Sequence, residues 1–192
     1  LWGAIIPQEA ANQIVQTTVT QTFSGADATH YTKGILRLAT VAQINTATDD
    51  GIAVSPDDLS ASNYGVKVIG TLVEAGDVTL SIGDAKNGNY FRIPSVCNGW
   101  DIVAVAAQVY TVGSTGTASF QLRNVTDSVD VLSTKLTIDS AETDSLTAAT
   151  AAVINTANDA VATGDQFTWD VDSVHTVTAP KGLYAEVILR KP

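Results

Sequence analysis

Apolar and polar residues alternate along most of the chain after residue 65. Apolar side chains occupy every second position in four runs: Val78, Leu80 and Ile82; Phe120 and Leu122; Phe167, Trp169 and Val171; and Leu183, Ala185, Val187 and Leu189. A period of two is typical of strands with one buried face. Turn sequences such as Asn98-Gly99 and Gly164-Asp165 separate the runs. The pattern predicts a mainly β protein with a β-sandwich (jelly-roll-like) head of roughly eight strands.

The same pattern predicts the interior of the head. Residues 102–110 are nearly all apolar, which suits a central strand that is covered on both faces. Residues 139–165 are rich in Ala, Thr, Asp and Asn, and they indicate long loops around one strand. The predicted core consists of Val78, Leu80, Val105, Phe120, Leu122, Phe167, Trp169, Val171 and Val187.

Two short helices are predicted before the strands. Thr40 and Gln43 have the spacing of a capping box, in which each side chain satisfies an amide of the other residue. Ser55 and Pro56 are typical of an N-cap and a first helical position, and Asp57 and Asp58 follow in the first turn. Helices of about two turns are marginal in water. We therefore expect another surface to hold them in place.

The N-terminal residues are apolar and allow two interpretations. Residues 1–7 are hydrophobic up to Pro7, residues 8–16 fit a short helix, and residues 17–23 alternate Thr and Val. One interpretation is a docking arm that buries Trp2, Ile5 and Ile6 against another protein, because an exposed apolar terminus is unfavourable in a monomer. The other is a strand that folds back onto the chain's own core.

Composition and charge argue against several classes of partner. The formal net charge is -10, and the ten basic residues are scattered apart from Arg190-Lys191, so neither nucleic acid nor an anionic membrane surface is expected. Membrane insertion is not expected because no run approaches the about 18 apolar residues of a span. Cys97 is the single cysteine, which precludes a disulfide within the chain.

The sequence has no pattern typical of an enzyme or a metal site. A nucleophile elbow and a phosphate loop are missing, and neither His30 nor His175 has a His or Cys at metal-ligand spacing. Acidic residues cluster in loops at Asp139, Glu142, Asp144, Asp159 and Asp165. Oxygen-rich loops can bind Ca²⁺, but the EF-hand spacing is missing and solvated charges are the ordinary interpretation. We therefore expect no enzymatic activity, no cofactor and no metal.

Residues 33–59 resemble a module that is common in bacteriophage tail fibres. The likeness rests on Lys33-Gly34-Ile35-Leu36-Arg37-Leu38-Ala39-Thr40, Asn45, Asp49-Asp50 and Ala53-Val54-Ser55-Pro56-Asp57-Asp58-Leu59. The chain departs from the family pattern at Gln43, Ala47 and Ser55, where an acidic residue, Gly and Thr are usual. The phrases Tyr90-Phe91-Arg92-Ile93-Pro94, Asn98-Gly99-Trp100 and Leu132-Ser133-Thr134-Lys135-Leu136 resemble the β-sandwich heads that follow this module in phage virion proteins.

The resemblance implies a homotrimeric, non-enzymatic appendage of a phage particle. It divides the chain into a docking arm at 1–31, a trimerisation module at 32–62, which we call the helical module, and a head at 63–192. The implied trimer contacts are Ile35, Leu36, Leu38 and Leu59, and the implied docking residues on other virion proteins are Trp2, Ile5 and Ile6. The expected location is the virion surface, on capsid or tail, after synthesis in the bacterial host cytoplasm.

Three functional classes follow from this expectation. The first is a structural fibre or knob, the second is an adhesin that binds a bacterial surface glycan, and the third and most remote is a polysaccharide depolymerase. Trp100 follows the Asn98-Gly99 turn and is the candidate glycan contact, since an exposed Trp can stack on a sugar ring. The alternative for Trp100 is a residue at the rim of the core, where it covers the end of the sandwich.

Overall fold

The computed structural model describes residues 38–47 and 52–192, which form a mainly β fold. The strands are β1 Val66–Thr79, β2 Tyr90–Arg92, β3 Trp100–Gln108, β4 Ala118–Asn124, β5 Val129–Asp130, β6 Leu132–Thr134, β7 Leu136–Ile138, β8 Val153–Ile154, β9 Ala160–Val161, β10 Gln166–Ser173 and β11 Lys181–Arg190. Helices α1 (Val41–Thr46) and α2 (Pro56–Ala61) precede them.

The strands form two main antiparallel sheets. The first sheet has the order β1-β11-β3-β9, and the second has the order β2-β10-β4-β5, with β7 also paired to β4. Strands β6 and β8 make a separate small pair. Both main sheets contribute apolar side chains to one shared core, which gives a sandwich-like architecture and confirms the predicted fold class.

The core lies between the two sheets, and most of its predicted members are buried. Leu80, Phe120, Leu122, Phe167, Trp169, Val171 and Val187 are each at most 1% exposed. Val105 is half-buried and packs against this core. The aromatic ring of Phe91 stacks on that of Phe167 with the ring centroids 5.5 Å apart.

Val78 is not in the core, so its predicted burial is wrong. Its side chain is 43% exposed. In β1, Glu74 pairs with Leu183 and Thr79 pairs with Lys181, so five steps along β1 match only two along β11. The surplus residues cannot stay in the sheet and bulge away from it. The regular alternation therefore breaks at Val78, while Leu80 beyond the bulge is buried again.

Both helix starts have the predicted caps. The amide of Gln43 donates to Thr40 Oγ1 at 3.3 Å, and Gln43 Oε1 accepts from the Thr40 amide at 3.1 Å. The amide of Asp58 donates to Ser55 Oγ at 3.1 Å. Each helix has six residues. Helices this short need tertiary support, which the residues around them supply.

Candidate functional site: an apolar assembly surface

An apolar groove crosses the described part of the helical module. Its lining consists of Ala39, Gln43, Ile44, Ala47, Ile52, Val54, Leu59 and Tyr64, and its volume is about 320 Å³. The amide of Ala39 donates to the carbonyl oxygen of Ala53 at 2.7 Å, which holds the two stretches of the module side by side. The amide of Asn63 donates to Asn45 Oδ1 at 2.7 Å and closes the groove at α1.

Large apolar side chains around this groove face solvent. Leu38 is 60% exposed, Leu59 44%, Val54 47% and Tyr64 64%. Both described members of the predicted trimer contacts, Leu38 and Leu59, are therefore exposed and available to a partner, and Leu59 lines the groove. The other predicted contacts, Ile35 and Leu36, and the predicted docking residues Trp2, Ile5 and Ile6 lie outside the described residues.

Arg190 fastens the helical module to the head. Its Nη1 donates to the main-chain carbonyl oxygens of Ser60 at 3.0 Å and Ser62 at 3.1 Å. These carbonyls belong to the end of α2 and the residue after it, where helix carbonyls lack partners within the helix and the helix dipole attracts a cation. Sequence reasoning missed this contact, because the two ends are 128 and 130 residues apart along the chain.

The turn between α2 and β1 is closely packed. A β carbon placed on Gly65 would lie 1.9 Å from the main-chain oxygen of Ser60, so a side chain cannot fit there without moving the backbone. Arg190 and Gly65 together bring the helical module against the end of the first sheet. The module is thereby positioned beside the outer face of that sheet.

The outer face of the first sheet is also apolar. Direct cross-strand partners in antiparallel strands lie on the same face. Val66, Val68, Gly70 and Leu72 of β1 pair with Arg190, Ile188, Glu186 and Tyr184 of β11, which pair in turn with Asp101, Ala104, Ala106 and Gln108 of β3. These β11 residues alternate with the buried Leu183, Ala185, Val187 and Leu189, so they point away from the core.

Trp100 lies at the start of β3, where it pairs with Val161 of β9. The side chain is half-buried and packs against the hydrophobic core. This placement favours a position at the rim of the core. The partly accessible ring leaves the glycan contact as a prediction for experiment.

The second sheet carries a buried carboxyl on its outer side. Asp170 is 7% exposed, and Asp170 Oδ1 accepts from the amide of Ala85 at 2.6 Å. Burial raises the pKa of this carboxyl, and Asp84 and Asp172 add to the rise. The Ala85 hydrogen bond and the charge of Arg123 oppose it. The carboxyl faces the chain's own loop at residue 85, so its role is structural.

Cys97 and His175 are both buried. Burial raises the pKa of the Cys97 thiol, with a small opposing effect of Lys67, so the unreactive thiol is favoured. His175 is 3% exposed, and neither of its ring nitrogens has a hydrogen-bond partner among the described residues. Residues 38–47 and 52–192 contain no group of three or more His, Cys, Asp or Glu residues arranged to hold a metal.

Within the same ranges, no helix is both long and apolar enough to cross a membrane. Comparisons of the chain with protein-family models, with curated proteins and with solved structures found no match. Among the described residues, the exposed apolar groove is therefore the feature that bears most directly on function.

Proposed function

We propose that the protein is a non-enzymatic structural component of a phage particle that forms a short trimeric fibre or knob on its surface. The observation that carries the proposal is the exposed apolar groove of the helical module. Seven of its eight lining residues lie between residues 39 and 59, within the stretch whose sequence resembles a fibre module. Of the two exposed leucines that the resemblance implies as trimer contacts, Leu59 lines the groove and Leu38 precedes the lining residue Ala39.

Energetics support self-association through the groove. Removing a large aliphatic side chain from water stabilises by about 1.5–3 kcal/mol. Leu38, Val54 and Leu59 remain largely in water in a single chain. Closed cyclic assembly would cover the same three side chains in every copy, and it would also support the two short helices.

The head then projects from the trimer. Arg190 holds the module at one end of the first sheet, so the opposite end of the sandwich points away from the helical module. The compact plan suits a knob that docks on a larger particle through residues 1–31. Capsid and tail remain equal alternatives for the place of docking, and binding of a host glycan by the head would be an additional role.

The test is the mass of the full chain in solution. Light scattering should report a trimer at micromolar concentration. Leu59→Lys should shift the mass to that of a monomer, because a charge in the groove cannot be buried without a partner. Val177→Lys is the matched control, since Val177 is 73% exposed and lies away from the module, beside the Ser114–Thr178 bridge. A folded monomer of the unmodified chain would contradict the proposal.

A further inference from the structure

The outer face of the first sheet carries few charged side chains. Val68 is 55% exposed, Leu72 60% and Tyr184 44%. Ile188, Ala104 and Ala106 fill the centre of the face. Between the Arg190 end and the Gln108 end, Glu186 is the one charged residue among the described pairs that share the outer face, because Lys67 pairs with Leu189 of the inner face. An exposed apolar patch of this kind marks an interaction surface.

The outer face of the second sheet is different. Thr168, Asp170, Arg123 and Gln121 are paired there, and Asp170 and Gln121 are covered by the chain's own loops. The Gln121 side chain exchanges two hydrogen bonds with the main chain of Leu132, each 3.0 Å long. The second face is thus polar and already partnered, whereas the first is apolar and open.

An aromatic ring lies along this open face. A β carbon on Gly70 would lie 1.8 Å from the hydroxyl oxygen of Tyr184, so the Tyr184 side chain lies across the sheet over Gly70. The glycine makes room for the ring, and the ring covers backbone that glycine leaves bare.

The size of the face indicates how it is used. Seven positions of β1 and three adjacent strands give roughly 24 Å by 14 Å, on the order of 350 Å². A stable interface takes about 800 Å² from each partner. The sheet face alone is therefore too small. At its Arg190 end the face meets the helical module, which carries the exposed Leu59 and Val54.

The net charge of the chain indicates which partner this face contacts. Copies of a chain with net charge -10 repel one another, so they meet best through surfaces that carry few acids. The hydrogen-bonding side chains of the face are Arg190 and Asp101 at one end, Glu186, and Tyr184 and Gln108 at the other end, whereas Val68, Ile188 and Ala104 between them offer a glycan none. We infer that the outer face of β1, β11 and β3 packs against the other copies of this chain, as the head's share of the trimer interface. This inference rests on the proposed trimer.

The test uses cysteines introduced into the full chain. The native Cys97 is buried, so an introduced thiol can be labelled selectively. Val68→Cys and Leu72→Cys place a thiol on the face, and Gln166→Cys, exposed on the second sheet, is the control. In the trimer, maleimide should label the two face variants on the order of tenfold more slowly than the control, because the centre of an interface excludes solvent.

The labelling rates are interpreted together with the mass of the chain measured by light scattering. Slow labelling of both face variants in a trimer supports the inference. Labelling at the control rate in a trimer would overturn it while leaving the proposed trimer intact. A monomeric chain would overturn both. Unchanged melting curves of the cysteine variants show that they remain folded. As a second control, Val68→Cys and Leu72→Cys are each combined with Leu59→Lys, which makes the chain monomeric. Rapid labelling of both cysteines in that background confirms that protection depends on assembly.

Discussion

The guanidinium of Arg190, at the end of the last strand, donates a hydrogen bond of 3.1 Å to the main-chain oxygen of Ser62. It makes a second such bond to Ser60. The last strand thus holds the residues that precede the first strand. This contact places the helical module at the end of the apolar sheet face where Arg190 pairs with Val66.

Replacing Arg190 should release the helical module and leave the head intact. Arg190→Met keeps the aliphatic stem but removes charged hydrogen bonds, which contribute about 1.5–3 kcal/mol each at partly buried sites. Hydrogen exchange of the amides of residues 56–65 should become correspondingly faster, while amides of β4 and β10 should not change.

Arg123→Met is the matched control for Arg190. Arg123 forms an ion pair of 3.3 Å with Asp130 in which both side chains are substantially exposed. Exposed pairs contribute roughly 0–1 kcal/mol. Equal exchange rates of residues 56–65 in Arg190→Met and in the unmodified chain would show that the junction does not hold the module.

Two apolar residues that the sequence places in the same core should respond very differently to truncation. Leu122 is completely buried, so Leu122→Ala should lower the free energy of unfolding by about 2–5 kcal/mol. Val78 lies on the bulge and is 43% exposed, so Val78→Ala should change the free energy of unfolding by less than about 0.5 kcal/mol. Urea unfolding measures both, and equal losses would contradict the bulge in β1.

The buried carboxyl of Asp170 should make stability depend on pH. Its pKa is raised in the folded chain, chiefly by burial, so the folded state binds more protons than the unfolded state between the unfolded and folded pKa values. Stability therefore falls as pH rises through that window, and the full penalty is present above it.

Asp170→Asn removes the charge and keeps an oxygen that can accept from the Ala85 amide. The variant should be more stable than the unmodified chain at about pH 7. This gain in stability should vanish below about pH 3, where the Asp170 carboxyl is neutral in both the folded and the unfolded state. Unfolding midpoints at the two pH values measure this. Asp77→Asn, at an exposed position, controls for the change in net charge. An equal gain in stability in Asp77→Asn would show that burial of Asp170 is not the cause.

Local signals in the sequence determined the class of fold and the helix ends. The alternation around Trp169 and Val187 requires strands with one buried face, and both residues are buried. The Thr40–Gln43 box and the Ser55 cap form because a capping side chain and its amide are only three residues apart. Such signals depend on neighbours in the chain, so they can be read without the tertiary structure.

Tertiary structure alone decided the features that join distant segments. The bulge that exposes Val78 depends on how many residues of β11 face β1. The contact of Arg190 with Ser62 joins the two ends of the described chain, and the open face around Val68 exists because no other element covers that side among the described residues. Periodicity states that a residue lies on one of two faces of a strand. Strand order and register decide which face meets the core and which is left for a partner.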